Sequence, residues 1–177
     1  TFSGSGANLT GISISSDSDD NTVGGSGAGD SITSGSGLFN TCFGKDAGTG
    51  ITSGDYNTTI GGNAYKVGNG RLNTIVGYNA AAHGGGAGNQ NTVVGNTAGY
   101  ELVGGENNAF FGYCSGDAIT TASNNTAIGS EALTTSTTGA SNVAVGRQAL
   151  NDNTTGSNIT AIGYNSLKAN TTADANT

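Results

Sequence analysis

The chain has 177 residues, of which 33 are glycine and none is proline, methionine or tryptophan, and its formal net charge is -7. With only five lysines and arginines, it lacks the positive charge that binding to nucleic-acid phosphates or to an anionic membrane surface requires. The sequence also has no apolar run near the roughly 20 residues of a membrane-spanning helix. We therefore expect no nucleic-acid partner and no membrane insertion.

Residues 1–20 carry no repeat and are expected to form an irregular N-terminal segment. The acidic stretch Asp17–Asn21 and the segment Gly24–Asp30, with the sequence GGSGAGD, both raise the possibility of calcium binding. The second segment is similar to the glycine-rich nonapeptide of calcium-binding β-rolls, but its aspartate is displaced by one residue and the unit is not tandem. We therefore expect a solvated acidic linker and no metal site.

From residue 21 onward one pattern recurs: Asn-Thr, two mostly apolar residues, Gly, two variable residues and a small residue. Copies start at 21, 40, 57, 73, 91, 108, 125, 142 and 159, so the last four spacings are all 17 residues. A disordered chain has no physical reason to keep such a period. A tenth copy would start at 176, so we expect the repeat array, residues 21–177, to be cut at that point and to continue beyond it.

A period this short, with β-branched residues at fixed positions and no helical spacing, predicts an all-β parallel β-solenoid, or β-roll, of about nine coils. Positions are numbered from the asparagine that opens each copy. The apolar pentad, as in Asn125–Gly129, is the predicted main strand, and glycine at position five permits the turn. The following Ala-Leu is predicted to start a second short strand, and Thr-Thr-Gly, as in Thr137–Gly139, returns the chain to the next coil.

Positions three and four are both largely apolar, although neighbouring residues of a strand point to opposite faces. A thin roll has one interior, so the second face is predicted to be covered by another copy of the chain. The alternative is a single wide β-helix that buries both faces. We place position four inside each roll and position three, often alanine, toward an axis shared between chains. The predicted structural core is therefore Phe43, Ile60, Val76, Val94, Phe111, Ile128, Val145 and Ile162.

The segments NNTAIG at 124, SNVAVG at 141 and NITAIG at 158 resemble the head repeat of YadA-type trimeric autotransporter adhesins. That family folds as a left-handed parallel β-roll with three chains around one axis. The resemblance implies a left-handed solenoid and a homotrimer, either intertwined or side by side. The NTAIG strand with its TTGS connector is also similar to repeats of phage tail fibres and other virion appendages. Residues 2–13, FSGSGANLTGIS, are similar to short segments of such phage structural proteins.

These resemblances imply an extracellular structural and adhesive module, a trimeric part of a phage tail fibre or virion appendage that supports host attachment. A host-surface receptor or glycan would bind this segment or a neighbouring domain. The alternative is the head of a bacterial trimeric surface adhesin. A more remote alternative is an ice-binding solenoid, because threonine at position two, as in Thr74 and Thr92, would form a regular ladder. We expect that column to lie in the buried strand instead.

No catalytic residue, cofactor site or metal site emerges from the sequence, and we expect no enzyme. His83 is the only histidine and lies in a glycine-rich stretch, where a solvated loop is expected. A serine nucleophile would need an oriented base, and the acidic residues show no repeated pairing of the kind that glycan cleavage needs. Cys42 and Cys114 are predicted to lie about four coils apart along the axis, too far for a disulfide, so both are expected to be unpaired.

Three tyrosines recur at position six: Tyr78, Tyr113 and Tyr164. They would serve either in cross-chain packing between neighbouring coils or as stacking platforms for sugars. No turn position carries the same aromatic or charged residue through all nine copies. We therefore expect the array to act as a spacer that holds a receptor-binding tip away from the particle.

Overall fold

The computed structural model describes residues 14–85 and 88–176. It contains one sheet in which ten short strands follow each other in chain order. The strands are β1 (Ile14–Ser16), β2 (Thr22–Gly24), β3 (Thr41–Phe43), β4 (Thr58–Ile60), β5 (Thr74–Val76), β6 (Thr92–Val94), β7 (Ala109–Phe111), β8 (Thr126–Ile128), β9 (Val143–Val145) and β10 (Thr160–Ile162). Strands β2 to β10 pair in parallel, and the chain makes one turn between consecutive strands. The predicted all-β parallel β-solenoid is confirmed.

Each coil contributes positions two to four to the sheet. Each of these residues pairs with the residue at the same repeat position in the next coil. Thr41, for example, pairs with Thr58, and Phe43 pairs with Ile60. At about 4.8 Å between strands, β2 to β10 extend over roughly 40 Å. The described residues contain no helix that is long and apolar enough to cross a bilayer. The stretch at residues 2–13 that resembles phage proteins lies outside the described residues.

The prediction of which strand face lies inside is wrong. Position three fills the interior: Cys42, Ile75, Val93 and Phe110 are completely buried. Position four faces outward in every coil from the one that starts at 40 onward, so the alternative of a wide β-helix that buries both faces is also wrong. The eight residues predicted as core lie on this outer face, exposed or half-buried: Phe43, Ile60, Val76, Val94, Phe111, Ile128, Val145 and Ile162.

The interior of the solenoid is narrow, so the volume of the side chains decides which face of each strand points into it. Position eight is a buried alanine in most coils, and the side chains at positions three and nine vary inversely in size. Where Phe110 is at position three, position nine is Gly116, and a Cβ there would lie 2.8 Å from the Phe110 ring. Where Ala127 is at position three, Leu133 fills the space from position nine. Side-chain volume is therefore balanced within each coil, as close packing demands.

The turn after each strand differs from the predicted second strand. Glycine at position five has a positive φ, 143° at Gly112, and a Cβ there would lie 2.5 Å from the carbonyl oxygen of Gly129 in the next coil. Positions seven and nine also have positive φ, as at Glu131 (59°) and Leu133 (53°). Two residues in the left-handed region so close together keep the chain turning, so the Ala-Leu segment packs inward from a turn and forms no strand.

A ladder of buried asparagines at position one runs along the solenoid. In a representative coil, Asn91 Oδ1 accepts hydrogen bonds from the backbone N–H of Asn108 (3.0 Å) and from Asn108 Nδ2 (3.1 Å). Asn91 Nδ2 donates to the carbonyl oxygen of Gly105 (2.9 Å), which closes the same coil. Each asparagine therefore ties its own coil shut and links it to the next. The ladder comprises Asn21, Asn40, Asn57, Asn73, Asn91, Asn108, Asn125 and Asn142.

The segment before the array, predicted to be irregular, contains β1, which pairs antiparallel with β2. Beside it, Asp17 takes the place of a preceding ladder asparagine. The Asn21 backbone N–H donates to Asp17 Oδ1 (3.0 Å), and Asn21 Nδ2 donates to Asp17 Oδ2 (3.0 Å). These hydrogen bonds hold the pKa of Asp17 below its ordinary value. The first strand of the parallel ladder is therefore paired with β1 on its N-terminal side.

Candidate functional site

The outer face of the sheet is a regular surface that runs along the solenoid. It carries a column of threonines at position two beside the apolar column at position four. The adjacent residues Phe110 and Phe111 show the contrast between the two strand faces, since the first is 0% and the second 40% exposed. A contiguous apolar strip of this length on one face is the kind of surface that marks an interaction site.

The threonine column was expected to be buried, and this expectation is wrong. Position two points to the same side as position four, so Thr41 and Thr92 are half-buried and Thr74 is exposed. The physical reason is the two-residue period of a strand, which places positions two and four together once position three faces inward. The outer face therefore alternates hydroxyl and apolar columns.

Further apolar side chains are exposed where the coils that start at 21, 40 and 57 end. The residue just before the ladder asparagine at 40, 57 and 73 is large and apolar: Phe39 is 46% exposed, Tyr56 55% and Leu72 54%. We call these three residues the N-terminal apolar patch. The Phe39 and Tyr56 rings are stacked, with centroids 5.1 Å apart and an interplanar angle of 6°. Along the chain, the patch residue comes two residues before the threonine column, which lies between it and the position-four residue.

The three tyrosines at position six are exposed at the end of the strand, beside the outer face. A Cβ at Gly62 would lie 3.3 Å from the Tyr78 ring, so that ring leans along the axis over the preceding coil. Arg147 lies over the Tyr164 ring, 5.9 Å from its centroid. Both contacts pack neighbouring coils of the same chain, so the predicted packing of these tyrosines across chains stays a prediction.

A shallow cleft of about 370 Å³ lies at the turns of the coils that start at 73, 91 and 108. Its lining residues are Asn79, Thr97, Tyr100, Tyr113, Cys114 and Asp117. Burial, and to a smaller extent the charge of Glu101, raises the pKa of Asp117. The cleft offers hydrogen-bonding groups and phenol rings but no second carboxylate among its lining residues, so it does not provide the paired acid and base of a hydrolase.

His83 was predicted to be a solvated loop residue, and its side chain is exposed but has partners. Its Nδ1 lies 2.7 Å from Glu101 Oε2, and its ring stacks on Tyr100 with centroids 5.3 Å apart. These contacts tie the turn of one coil to the next. His83 is not among the residues that line the adjoining cleft, and no serine lines it.

The other residues considered for chemistry are dispersed. Cys42 is buried and Cys114 half-buried, and both are free thiols, as predicted. Within residues 14–85 and 88–176, no group of three or more histidine, cysteine, aspartate or glutamate side chains is placed to hold a metal ion. The carboxylate of Asp17, in the stretch considered for calcium, accepts hydrogen bonds from Asn21 instead.

Sequence reasoning missed the role of the position-one asparagines and the N-terminal apolar patch. Both features are visible in the sequence. Asparagine opens eight of the nine copies, and a large apolar residue precedes the asparagine only at 40, 57 and 73. No protein-family model, curated protein or solved structure matches the chain. Its function is therefore inferred from the geometry of the chain itself.

Proposed function

We propose that this chain is a rigid structural module of an extracellular fibre that associates as a homotrimer through the outer face of its sheet. The observation that carries the proposal is the apolar column at position four, which faces outward in strands β3 to β10. The sequence resemblance to trimeric adhesin heads and phage tail fibres favours a fibre over other assemblies and three chains over two. We propose that the fibre is a virion appendage that supports host attachment, because the repeats resemble those of phage tail fibres.

Association follows from the energetics of apolar burial. Phe43, Phe111 and Ile128 each leave about two fifths of their surface exposed in the single chain. Burying such surface contributes about 25 cal/mol per Å², and every coil adds to the same strip. The favourable free energy of association therefore grows with the number of coils, as expected for a long interface between parallel chains.

The proposed role is mechanical, because the stabilising contacts are spread evenly along the axis. The in-register parallel strands and the asparagine ladder join every coil to both neighbours. Bending or local unfolding has to break several of these hydrogen bonds together, since coils in a solenoid are stabilised by their neighbours. A trimeric shaft of this kind would hold a tip at a fixed distance from the particle.

Light scattering on the purified chain tests the assembly. We expect a particle mass of three times the chain mass of 17.1 kDa. Val145→Asp places a charge in the middle of the strip and should shift the particle toward the monomer mass, because a buried unpaired charge costs several kcal/mol. Arg147→Ala, two residues away at an exposed turn, is the matched control and should leave the mass unchanged. A parent chain that stays monomeric at micromolar concentration would refute the proposal.

Attachment to host cells tests the spacer role separately. If the module is a shaft, Tyr113→Ala should leave both the particle mass and the attachment of the intact appendage unchanged, because the ring is exposed at a turn. Loss of attachment with an intact trimer would make the turn surface a receptor-binding site.

One observation favours a second candidate, ice binding. The threonine column faces outward on a regular sheet, and such a surface suits an ordered water layer. Phe43 and Phe111 project from the same face and interrupt its flatness, so we rank this candidate below self-association. Thermal hysteresis of the purified chain distinguishes them, because a monomer that depresses the freezing point without associating would favour ice binding.

A further inference from the structure

We propose that the cleft at the turns of the coils that start at 73, 91 and 108 binds a primary alkylammonium group through the carboxylate of Asp117 and the ring of Tyr100. Such a group is carried by a lysine side chain or by a free alkyl amine. The inference goes beyond the proposed fibre role, because the cleft lies at the turns and not on the outer face of the sheet. It requires neither a trimer nor attachment to a host.

In several other coils the side chain at position ten contacts the position-seven residue of the preceding coil, which ties the two columns together. Lys66 Nζ lies 3.7 Å from Asp46 Oδ2, and Lys168 Nζ donates a hydrogen bond to Gln148 Oε1 (3.1 Å). In each pair the two residues are 20 apart in the chain. Two further pairs at this separation use the backbone carbonyl oxygen of position seven: Thr134 with Cys114 (3.2 Å) and Asn151 with Glu131 (3.0 Å).

This contact is missing at the cleft, where the corresponding residues are Asp117 and Thr97. The Asp117 carboxylate forms no hydrogen bond or ion pair with a described residue, and Thr97 Oγ1 donates to the backbone carbonyl oxygen of Asn96 instead (2.8 Å). In the preceding coil, position ten is Tyr100, whose ring stacks on His83. The two columns are therefore not joined here, and the space between them is the cleft of about 370 Å³.

The electrostatics of the cleft favour a cation. Asp117 is half-buried, and burial, with a smaller effect from the charge of Glu101, raises the pKa of its carboxyl. A positive partner would stabilise the charged form of such a carboxylate. None of the side chains that line the cleft is a lysine or an arginine. A perturbed carboxylate of this kind in a cleft is typical of a binding site, and its partner has to come from outside the lining residues.

A primary ammonium group fits this cleft better than a metal ion or a neutral sugar. Only one carboxylate lines the cleft, and among the described residues no group of acidic, histidine and cysteine side chains is placed to hold a metal ion. A neutral sugar would leave the charge of Asp117 without a counter-charge. An ammonium group donates charge-assisted hydrogen bonds to a carboxylate, and an aromatic ring such as Tyr100 attracts a cation. The ion pair of Lys66 with Asp46 shows that an ammonium group can lie between the same two columns.

An NMR titration of the intact chain with n-butylammonium chloride tests the site, with n-butanol as the neutral probe of the same length. The backbone amide signals of Thr97 and Cys114, which line the cleft, report binding. Asp117→Asn keeps the shape of the side chain and removes its charge. Asp30→Asn is the matched control, because it removes a carboxylate from an exposed turn in the coil that starts at 21. That turn is several coils away, beyond the screening length of about 10 Å in 0.1 M salt.

We expect n-butylammonium to shift both signals saturably at millimolar concentration, and Asp117→Asn to weaken its binding about ten-fold. The parent chain and Asp30→Asn should bind it alike. Binding to the parent should also weaken as the pH falls, because protonation removes the charge of Asp117. A titration with Nα-acetyl-lysine amide separates the two sources of the group. Tighter binding than n-butylammonium assigns the cleft to a lysine of a partner protein, whereas equal or weaker binding assigns it to a free amine.

Equal binding of n-butanol and n-butylammonium would overturn the proposal, as would an unchanged affinity in Asp117→Asn. Stronger binding of methyl glucoside than of the amine would assign the cleft to a sugar and would also overturn it. The midpoint of urea unfolding should stay equal or rise in Asp117→Asn, because a raised pKa means that the charged carboxylate destabilises the fold. A lower midpoint would make the carboxylate structural. Light scattering tests the trimer independently, so failure of the cleft and failure of the proposed function are distinguishable.

Discussion

Replacing Asn91 by alanine should strongly destabilise the solenoid, because this buried amide connects three parts of the chain. Its Oδ1 accepts the backbone N–H of Asn108 in the next coil, and its Nδ2 donates to the carbonyl oxygen of Gly105. Alanine removes both partners while the groups around them stay buried. Two backbone groups are then left without a hydrogen bond in the interior.

The magnitude follows from these two groups. A buried polar group without a partner costs about 1–3 kcal/mol, so we expect Asn91→Ala to lower the free energy of unfolding by about 2–6 kcal/mol. With a urea dependence of about 2 kcal/mol per M, the midpoint of unfolding should fall by roughly 1–3 M. Circular dichroism in urea at fixed protein concentration measures this shift.

Asn96→Ala provides the control in the same coil. Asn96 is exposed, and its side chain takes part in no hydrogen bond with the described residues, so its replacement should change the free energy of unfolding by less than about 0.5 kcal/mol. Equal midpoints for Asn91→Ala and Asn96→Ala would refute the reasoning, because the ladder would then contribute nothing that water cannot replace.

Three further predictions concern the interior, the high-pH behaviour and the turn. Phe110→Ala should lower the free energy of unfolding by about 3–5 kcal/mol by opening a cavity, whereas Phe111→Ala should mainly reduce the particle mass seen by light scattering; equal effects on both readouts would contradict the assigned faces. Burial raises the pKa of Tyr65 to about 12, so the folded chain keeps this proton above the ordinary pKa of 10. Its contribution to stability should be complete below about pH 10 and lost as the pH rises toward 12. The free energy of unfolding of Tyr65→Phe, measured by urea titration at each pH, should not show this loss. Gly112→Ala should cost at least about 1–3 kcal/mol, because the new Cβ would meet the carbonyl oxygen of Gly129 at 2.5 Å; an unchanged urea midpoint would show that the coils can separate to accept it.

The sequence by itself determined the period, the place of each strand and the turn that follows it. These features depend on local chemistry: β-branched residues favour extended backbone, and the glycine at position five is needed because Gly112 and its equivalents have positive φ. The two apolar positions in each strand also showed that both faces of the sheet would carry hydrophobic side chains. Nothing within the pentad, however, distinguishes the inner face from the outer one.

Only the tertiary structure decided which face lies inside, because that depends on volume contributed from across the coil. Phe110 fits the interior since Gly116 leaves room for it, and Ala127 fits because Leu133 fills the remaining space. The second strand was mispredicted for the same reason, since Leu133 reaches the interior from a turn with positive φ. The asparagine ladder likewise joins residues 17 apart, such as Asn91 and Asn108. A polar residue at a strand end is an ordinary turn signal until stacking of the coils buries it and pairs it with its equivalent in the next coil.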